Sequence, residues 1–70
     1  MTNKTFYNFS LECVVFDKDG DLCGECIVPV AYYADSKEEA IIEAQKVGQA
    51  MARSAEKDEQ GLFYHIVDRR

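Results

Sequence analysis

Several features that would place a chain in a membrane or outside the cell are missing from this sequence. No apolar run approaches the ~18 residues that a membrane-spanning helix needs. The first ten residues, MTNKTFYNFS, lack the apolar core of a signal peptide. We therefore expect a cytoplasmic protein with no membrane partner, located in the host cytoplasm if the protein is viral.

Basic residues are scarce relative to acidic ones. The 70 residues include 8 Lys and Arg against 13 Asp and Glu, a formal net charge of −5. Direct nucleic-acid binding depends on clustered Lys and Arg, so we expect none here. An acidic protein is instead attracted to basic surfaces. The charge predicts a protein partner with a basic surface, such as a groove that normally holds nucleic acid.

Cysteine and histidine are also few. Three cysteines and no export signal do not suggest a disulfide framework. The pair Cys23 and Cys26 has C-x-x-C spacing but lacks the second ligand pair of a structural zinc site. A single histidine, His65, leaves no catalytic triad that spacing could support. We expect no enzyme activity and no cofactor.

Alternating aspartates at 17, 19 and 21 resemble the opening of a calcium-binding loop. That loop needs Gly at its sixth position and Glu at its twelfth. Leu22 and Val28 occupy those positions here. The pattern therefore favours a solvated hairpin tip and no metal site.

What the chain does contain is a strong hairpin signal. Asp19-Gly20 lies between two apolar runs, which predicts a two-residue turn with positive φ at both positions. The turn places Lys18 opposite Asp21 and predicts strands over about 5–17 and 21–33. The expected pairs on one face are Val15–Gly24, Cys13–Cys26, Leu11–Val28 and Phe9–Val30. This face carries no charge and should be buried, with its two cysteines acting as small core residues or, alternatively, as a reversible disulfide.

A helix and a third strand follow the hairpin. Ser36 and Glu39 have capping-box spacing, with each side chain bonded to the other residue's N–H. An amphipathic helix is predicted over about 37–57, with a core-facing stripe at Ile41, Ala44, Val47, Met51 and Ala55. Gly48 and Ala52 are small enough to let the helix lie close to the sheet. Gly61 should end the helical region, and residues 62–68 should form the last strand.

These elements predict one α+β domain over residues 1–70, with the order β-β-α-β. A right-handed crossover places the third strand beside the first, giving the sheet order 3-1-2. The third strand is then antiparallel to the first. Pro29 cannot donate a ladder hydrogen bond, which predicts that the second strand is an edge strand or bulges there. The helix should cover one face of the sheet and leave the other open.

Two surfaces could bind a partner. The open face should present Phe16, Ile27 and Phe63 among Glu25 and His65, an apolar patch with an acidic rim. Its alternative use is a homodimer that buries the patch. The second surface is an acidic end, where the hairpin tip and the end of the helix should meet. Its carboxylates are Asp17, Asp19, Asp21, Glu56, Asp58 and Glu59.

Three stretches resemble the small host RNA-polymerase inhibitors of short-tailed coliphages. They are Val28-Pro29-Val30, the helix start over residues 34–40 and Gly61-Leu62-Phe63. Similar helix starts occur in some anti-CRISPR proteins. The family's last-strand arginines fall on Ile66 and Asp68 here, so Arg69 and Arg70 would take their role. The resemblance implies a non-enzymatic phage-type inhibitor that occupies a basic surface of a host RNA polymerase or CRISPR effector.

Overall fold

The computed structural model, which describes residues 4–69, contains three strands and one helix. The strands are β1 (Thr5–Phe16), β2 (Leu22–Ala34) and β3 (Gly61–Arg69), and the helix is α1 (Lys37–Lys57). The sheet order is β2-β1-β3, with both outer strands antiparallel to β1. The α+β class, the β-β-α-β order and the strand order predicted from the sequence are confirmed.

The hairpin register is the predicted one along most of its length. Cys13 pairs with Cys26 and Leu11 with Val28. Pro29 lies on the edge strand β2, opposite Ser10, and the register passes it without a shift. A proline fits there because an edge strand needs only half of its main-chain groups for the ladder.

The turn differs from the two-residue turn that we predicted. Gly20 has φ 84°, whereas Asp19 does not adopt a positive φ. The Asp17 N–H donates to the Asp21 carbonyl at 2.9 Å, so Asp17, and not Lys18, lies opposite Asp21. Phe16 then pairs with Leu22 and Val15 with Gly24, which leaves Cys23 as a bulge. This is a three-residue loop closed around one left-handed glycine.

One of the two predicted capping hydrogen bonds forms at the start of the helix. The Ser36 hydroxyl accepts from the Glu39 N–H at 3.3 Å. The Glu39 carboxylate accepts from the Asp35 N–H instead of the predicted Ser36 N–H, also at 3.3 Å. The acidic residues of the first turn face the positive end of the helix dipole.

The helix ends at Lys57, as predicted, but the residue with positive φ that ends the helical region is Glu59 and not Gly61. Glu59 has φ 60°. Its N–H donates to the Glu56 carbonyl at 3.0 Å, and the Gln60 N–H donates to the Ala55 carbonyl at 2.9 Å. This bond pair is a Schellman motif with a non-glycine residue in the left-handed position. Gly61 instead begins β3, where it pairs with Phe16.

The core lies between α1 and one face of the sheet. Phe9, Leu11 and Cys13 of β1 are buried there against Ala40 and Ala44 of the helix. These helical residues are small, which allows the helix to lie close to the strands.

Gly48 is a point where the helix lies close to the sheet. A Cβ at this position would lie 2.6 Å from the ring of Tyr64 in β3, well inside van der Waals contact. The prediction that Gly48 permits close helix packing is confirmed.

Cys26 departs from the prediction of two buried cysteines. Cys13 is buried, but Cys26 and Cys23 are exposed. The reason is that β2 is the edge strand, so Cys26 has a neighbouring strand on one side only.

Candidate functional site

One face of the sheet carries no helix, and we call it the open face. Successive side chains of a strand alternate between faces. The core residues of β1 are odd-numbered, so its even-numbered residues and their cross-strand partners form the open face. Its central members are Glu12, Val14, Phe16, Glu25, Ile27, Phe63, His65 and Val67.

Apolar side chains dominate the half of the open face nearest the hairpin tip. Ile27 is 62% exposed and Phe63 is 65% exposed. The ring of Phe16 meets that of Phe63 edge-on, with centroids 5.7 Å apart and planes at 72°. The two rings therefore form one contiguous aromatic surface. Aromatic groups of this kind serve as anchors in protein interfaces.

Charged side chains interrupt the apolar surface in regular rows. Glu12 lies between Ile27 on β2 and His65 on β3. In the next row, Val14 lies between Glu25 and Phe63. These two rows line a shallow, open depression of about 470 Å³. The predicted grouping of Phe16, Glu25, Ile27, Phe63 and His65 on one surface is thus what the fold produces.

The basic tail is only partly available to a partner. The Arg69 Nε donates to the Ser10 hydroxyl at 2.8 Å, and Ser10 is buried beneath it. This bond fixes the guanidinium on the open face, at the end opposite the Phe16–Phe63 pair. Arg70 lies outside the described residues.

The acidic end is formed by two separate segments, as predicted. Phe16 pairs with Gly61, which brings the hairpin tip and the end of α1 to the same end of the molecule. The Gln60 side-chain amide also donates to the Cys23 sulfur at 3.8 Å. Asp19, Asp21, Asp58 and Glu59 are all exposed there.

Asp17 has a structural task that the sequence did not reveal. Its carboxylate Oδ1 accepts the N–H groups of Asp19 and Asp21, at 2.9 and 3.0 Å. An aspartate that bonds to the main chain two residues onward is typical of tight turns. Asp17 therefore shapes the tip that carries the other aspartates.

A second aromatic pair lies at the far end of the open face. Phe6 and Tyr33 face each other across β1 and β2, with ring centroids 5.0 Å apart. They are 50% and 69% exposed. Our sequence reasoning missed them because it stopped the hairpin register at Phe9. Extending the same register by three residues would have found the pair.

The described residues 4–69 contain no group of three or more His, Cys, Asp or Glu side chains placed to hold a metal ion. Over the same residues, α1 is not apolar enough to cross a membrane.

The fold and the open face define a small α+β chain with one helix-covered and one uncovered sheet surface. No known family model, curated protein or solved structure matches it.

Proposed function

We propose that this protein is a non-enzymatic binding module that inhibits a host nucleic-acid machine by occupying one of its basic surfaces. The observation that carries the proposal is the open face, where Ile27 and Phe63 are mostly exposed beside acidic residues. An exposed apolar patch with polar residues around it is typical of a binding site. The resemblance to phage polymerase inhibitors and anti-CRISPR proteins supports RNA polymerase or a CRISPR effector as the target.

The two surfaces have different tasks in this proposal. The apolar anchors Phe16, Ile27 and Phe63 supply most of the binding free energy, since buried aromatic groups dominate interfaces. The acidic end speeds association with a basic groove and selects it over neutral surfaces. Because exposed charges are screened within about 10 Å at 0.1 M salt, association should slow as salt rises.

Binding to purified bacterial RNA polymerase and to a purified CRISPR effector tests the proposal directly. Phe63→Asp should weaken binding by about 30-fold, the size of one interface hot spot. Ile42→Asp is the matched control, because Ile42 is 52% exposed on the helix, away from the open face. Surface plasmon resonance at low and high salt measures both variants. Equal affinities for the two variants, or binding to neither complex, would contradict the proposal.

The acidic end has its own comparison. Asp19→Asn combined with Asp21→Asn removes two charges and keeps the main-chain bonds of the tip. This double variant should lower the association rate and flatten its salt dependence. Glu38→Gln, at the start of α1, removes charge at the far end of the helix and should change the rate little.

A further inference from the structure

The two outer edges of the sheet are not equally protected. The β2 edge contains Pro29 and the bulge at Cys23, two features that discourage pairing with another strand. The β3 edge has neither proline nor lysine over Gly61–Arg69, and its pairing with β1 runs without a register shift. Within residues 4–69 no strand pairs with the outer side of β3. Such an edge is a template for strand addition.

The turn geometry identifies the main-chain groups on that edge. The Asp17 N–H points toward β2, because it donates to Asp21. Successive residues of a strand direct these groups to opposite sides, so the even-numbered residues of β1 point toward β3. Their partners on β3 are odd-numbered, His65 among them. The N–H and C=O groups of Tyr64 and Ile66 therefore point outward.

The side chains of the same residues lie on the helix side of the sheet. Leu62, Tyr64 and Ile66 pack against the core yet remain partly exposed. A strand added to this edge with apolar side chains on the same face would complete their burial. The edge thus favours an apolar, alternating strand of about the same length, and β3 is itself such a strand.

We propose that two copies of this protein pair through β3, antiparallel and centred on His65. This register overlaps residues 61–69 fully. Tyr64 lies opposite Ile66 of the second copy, and these residues exchange main-chain hydrogen bonds on both sides of the two-fold axis. On the helix side, Tyr64 and Ile66 each gain an apolar neighbour at the seam, whereas Leu62 lies opposite Asp68 of the second copy.

Charge complementarity favours this alignment over the parallel one. The antiparallel register sets Arg69 opposite Gly61 of the second copy, two residues after Glu59 in that copy's acidic turn. The same contact occurs twice by symmetry. It offsets part of the repulsion between two chains of net charge −5. A parallel pairing would place the acidic ends together.

The dimer is a six-stranded sheet with both helices on one side. Its two open faces form one continuous surface, so each assembly presents two copies of the anchor cluster. This inference does not depend on the proposed function, since the seam uses β3 main-chain groups and leaves Phe16 and Ile27 uncovered, while Phe63 lies beside Val67 of the second copy and keeps its outer face open.

Sedimentation velocity of the full chain over a concentration series tests the association. The mass should rise from 8.0 kDa toward twice that value. His65→Lys should weaken the dimer by about five-fold, because like charges directly opposite in a sheet repel. The monomer should tolerate this change, since the introduced lysine would lie opposite Glu12 of β1.

Cross-linking locates the seam. In a Cys13→Ala, Cys23→Ser, Cys26→Ser background, His65→Cys places two thiols opposite each other at the two-fold axis. Oxidised glutathione should join them into a disulfide dimer, with release of two glutathione thiols. Ile27→Cys, which is also exposed on the open face, should cross-link at least ten-fold more slowly.

A chain that stays monomeric at all concentrations would overturn the inference, as would equal cross-linking rates for the two cysteine variants. Dissociation by Phe63→Asp but not by His65→Lys would instead assign the dimer to the open face. Circular dichroism checks that each variant is folded. If the cysteine-free background does not fold, the sedimentation of wild type and of His65→Lys still tests whether β3 forms the dimer interface.

Discussion

Cys13 is the residue whose chemistry the fold changes most. Burial raises the pKa of the Cys13 thiol to about 11, and the neighbouring Cys26 adds to the rise through a hydrogen bond and its charge. The thiol side chain also donates to the Leu11 carbonyl at 3.6 Å. A buried neutral thiol of this kind behaves as a small apolar residue, whereas Cys23 and Cys26 remain exposed.

Iodoacetamide at pH 8 should therefore label Cys23 and Cys26 but leave Cys13 unmodified until the protein unfolds. The folded pKa lies above the ordinary value of 9.0, so the neutral Cys13 stabilises the fold below about pH 9. That contribution should be lost as the pH rises toward 11. Peptide mass mapping measures the labelling, and urea unfolding from pH 8 to 11 measures the stability.

Cys13→Ala is the control for the pH dependence, since it removes the titrating group and keeps a small apolar side chain. Its free energy of unfolding should fall less over the same pH range than that of the wild type. Labelling of Cys13 at the rate of Cys26 in the native protein would contradict this account.

At the scale of single elements, short-range chemistry decides most boundaries. Ser36 begins α1 because its hydroxyl satisfies a main-chain N–H of the first turn. The helix end is less readable, because Glu59 adopts a left-handed conformation that usually belongs to glycine. The surrounding Schellman bonds and the short connection to β3 force that conformation, and neither is visible in the residue type.

Glu59→Gly should raise the free energy of unfolding by about 0.5–1 kcal/mol, because glycine adopts positive φ without steric cost. The change also removes a negative charge from the negative end of the helix dipole. Glu59→Gln separates the two effects, since it removes the charge and keeps the strained backbone. Chemical denaturation measures the free energy of unfolding of both variants. A glycine variant less stable than the glutamine variant would contradict the claim that the Glu59 backbone is strained.

At the scale of the whole molecule, stability depends on one thin layer between the helix and the sheet. A chain of this size has a small core and a small total stability. Tyr64 spans that layer: its ring lies against Gly48 and its hydroxyl donates to the Gln45 carbonyl at 3.5 Å. Tyr32 makes a similar bond to the Glu43 carbonyl at 3.3 Å. The spacing of the two layers is therefore fixed at several points.

Gly48→Ala should lower the free energy of unfolding by about 1–3 kcal/mol, the usual cost of overpacking. Helix propensity alone predicts the opposite, a gain of about 1 kcal/mol, so the sign of the change is informative. A double-mutant cycle with Tyr64→Leu measures the coupling between the two positions. The alanine should be better tolerated once the ring is absent, and additive effects would contradict the contact.

The sequence by itself determined the elements, the hairpin register, the sheet order and the residues of the open face. The elements, the register and the open face depend on periodicity and on cap and turn residues, which act over a few positions and can be read locally, and the sheet order follows from the right-handed crossover rule. Only the tertiary structure decided the wider turn, the exposure of Cys26, the left-handed Glu59 and the bonds that hold Arg69 and Asp17. Each of these depends on which strand lies at an edge, or on a main-chain group that a neighbouring segment must satisfy. Such constraints arise only after the segments meet in space.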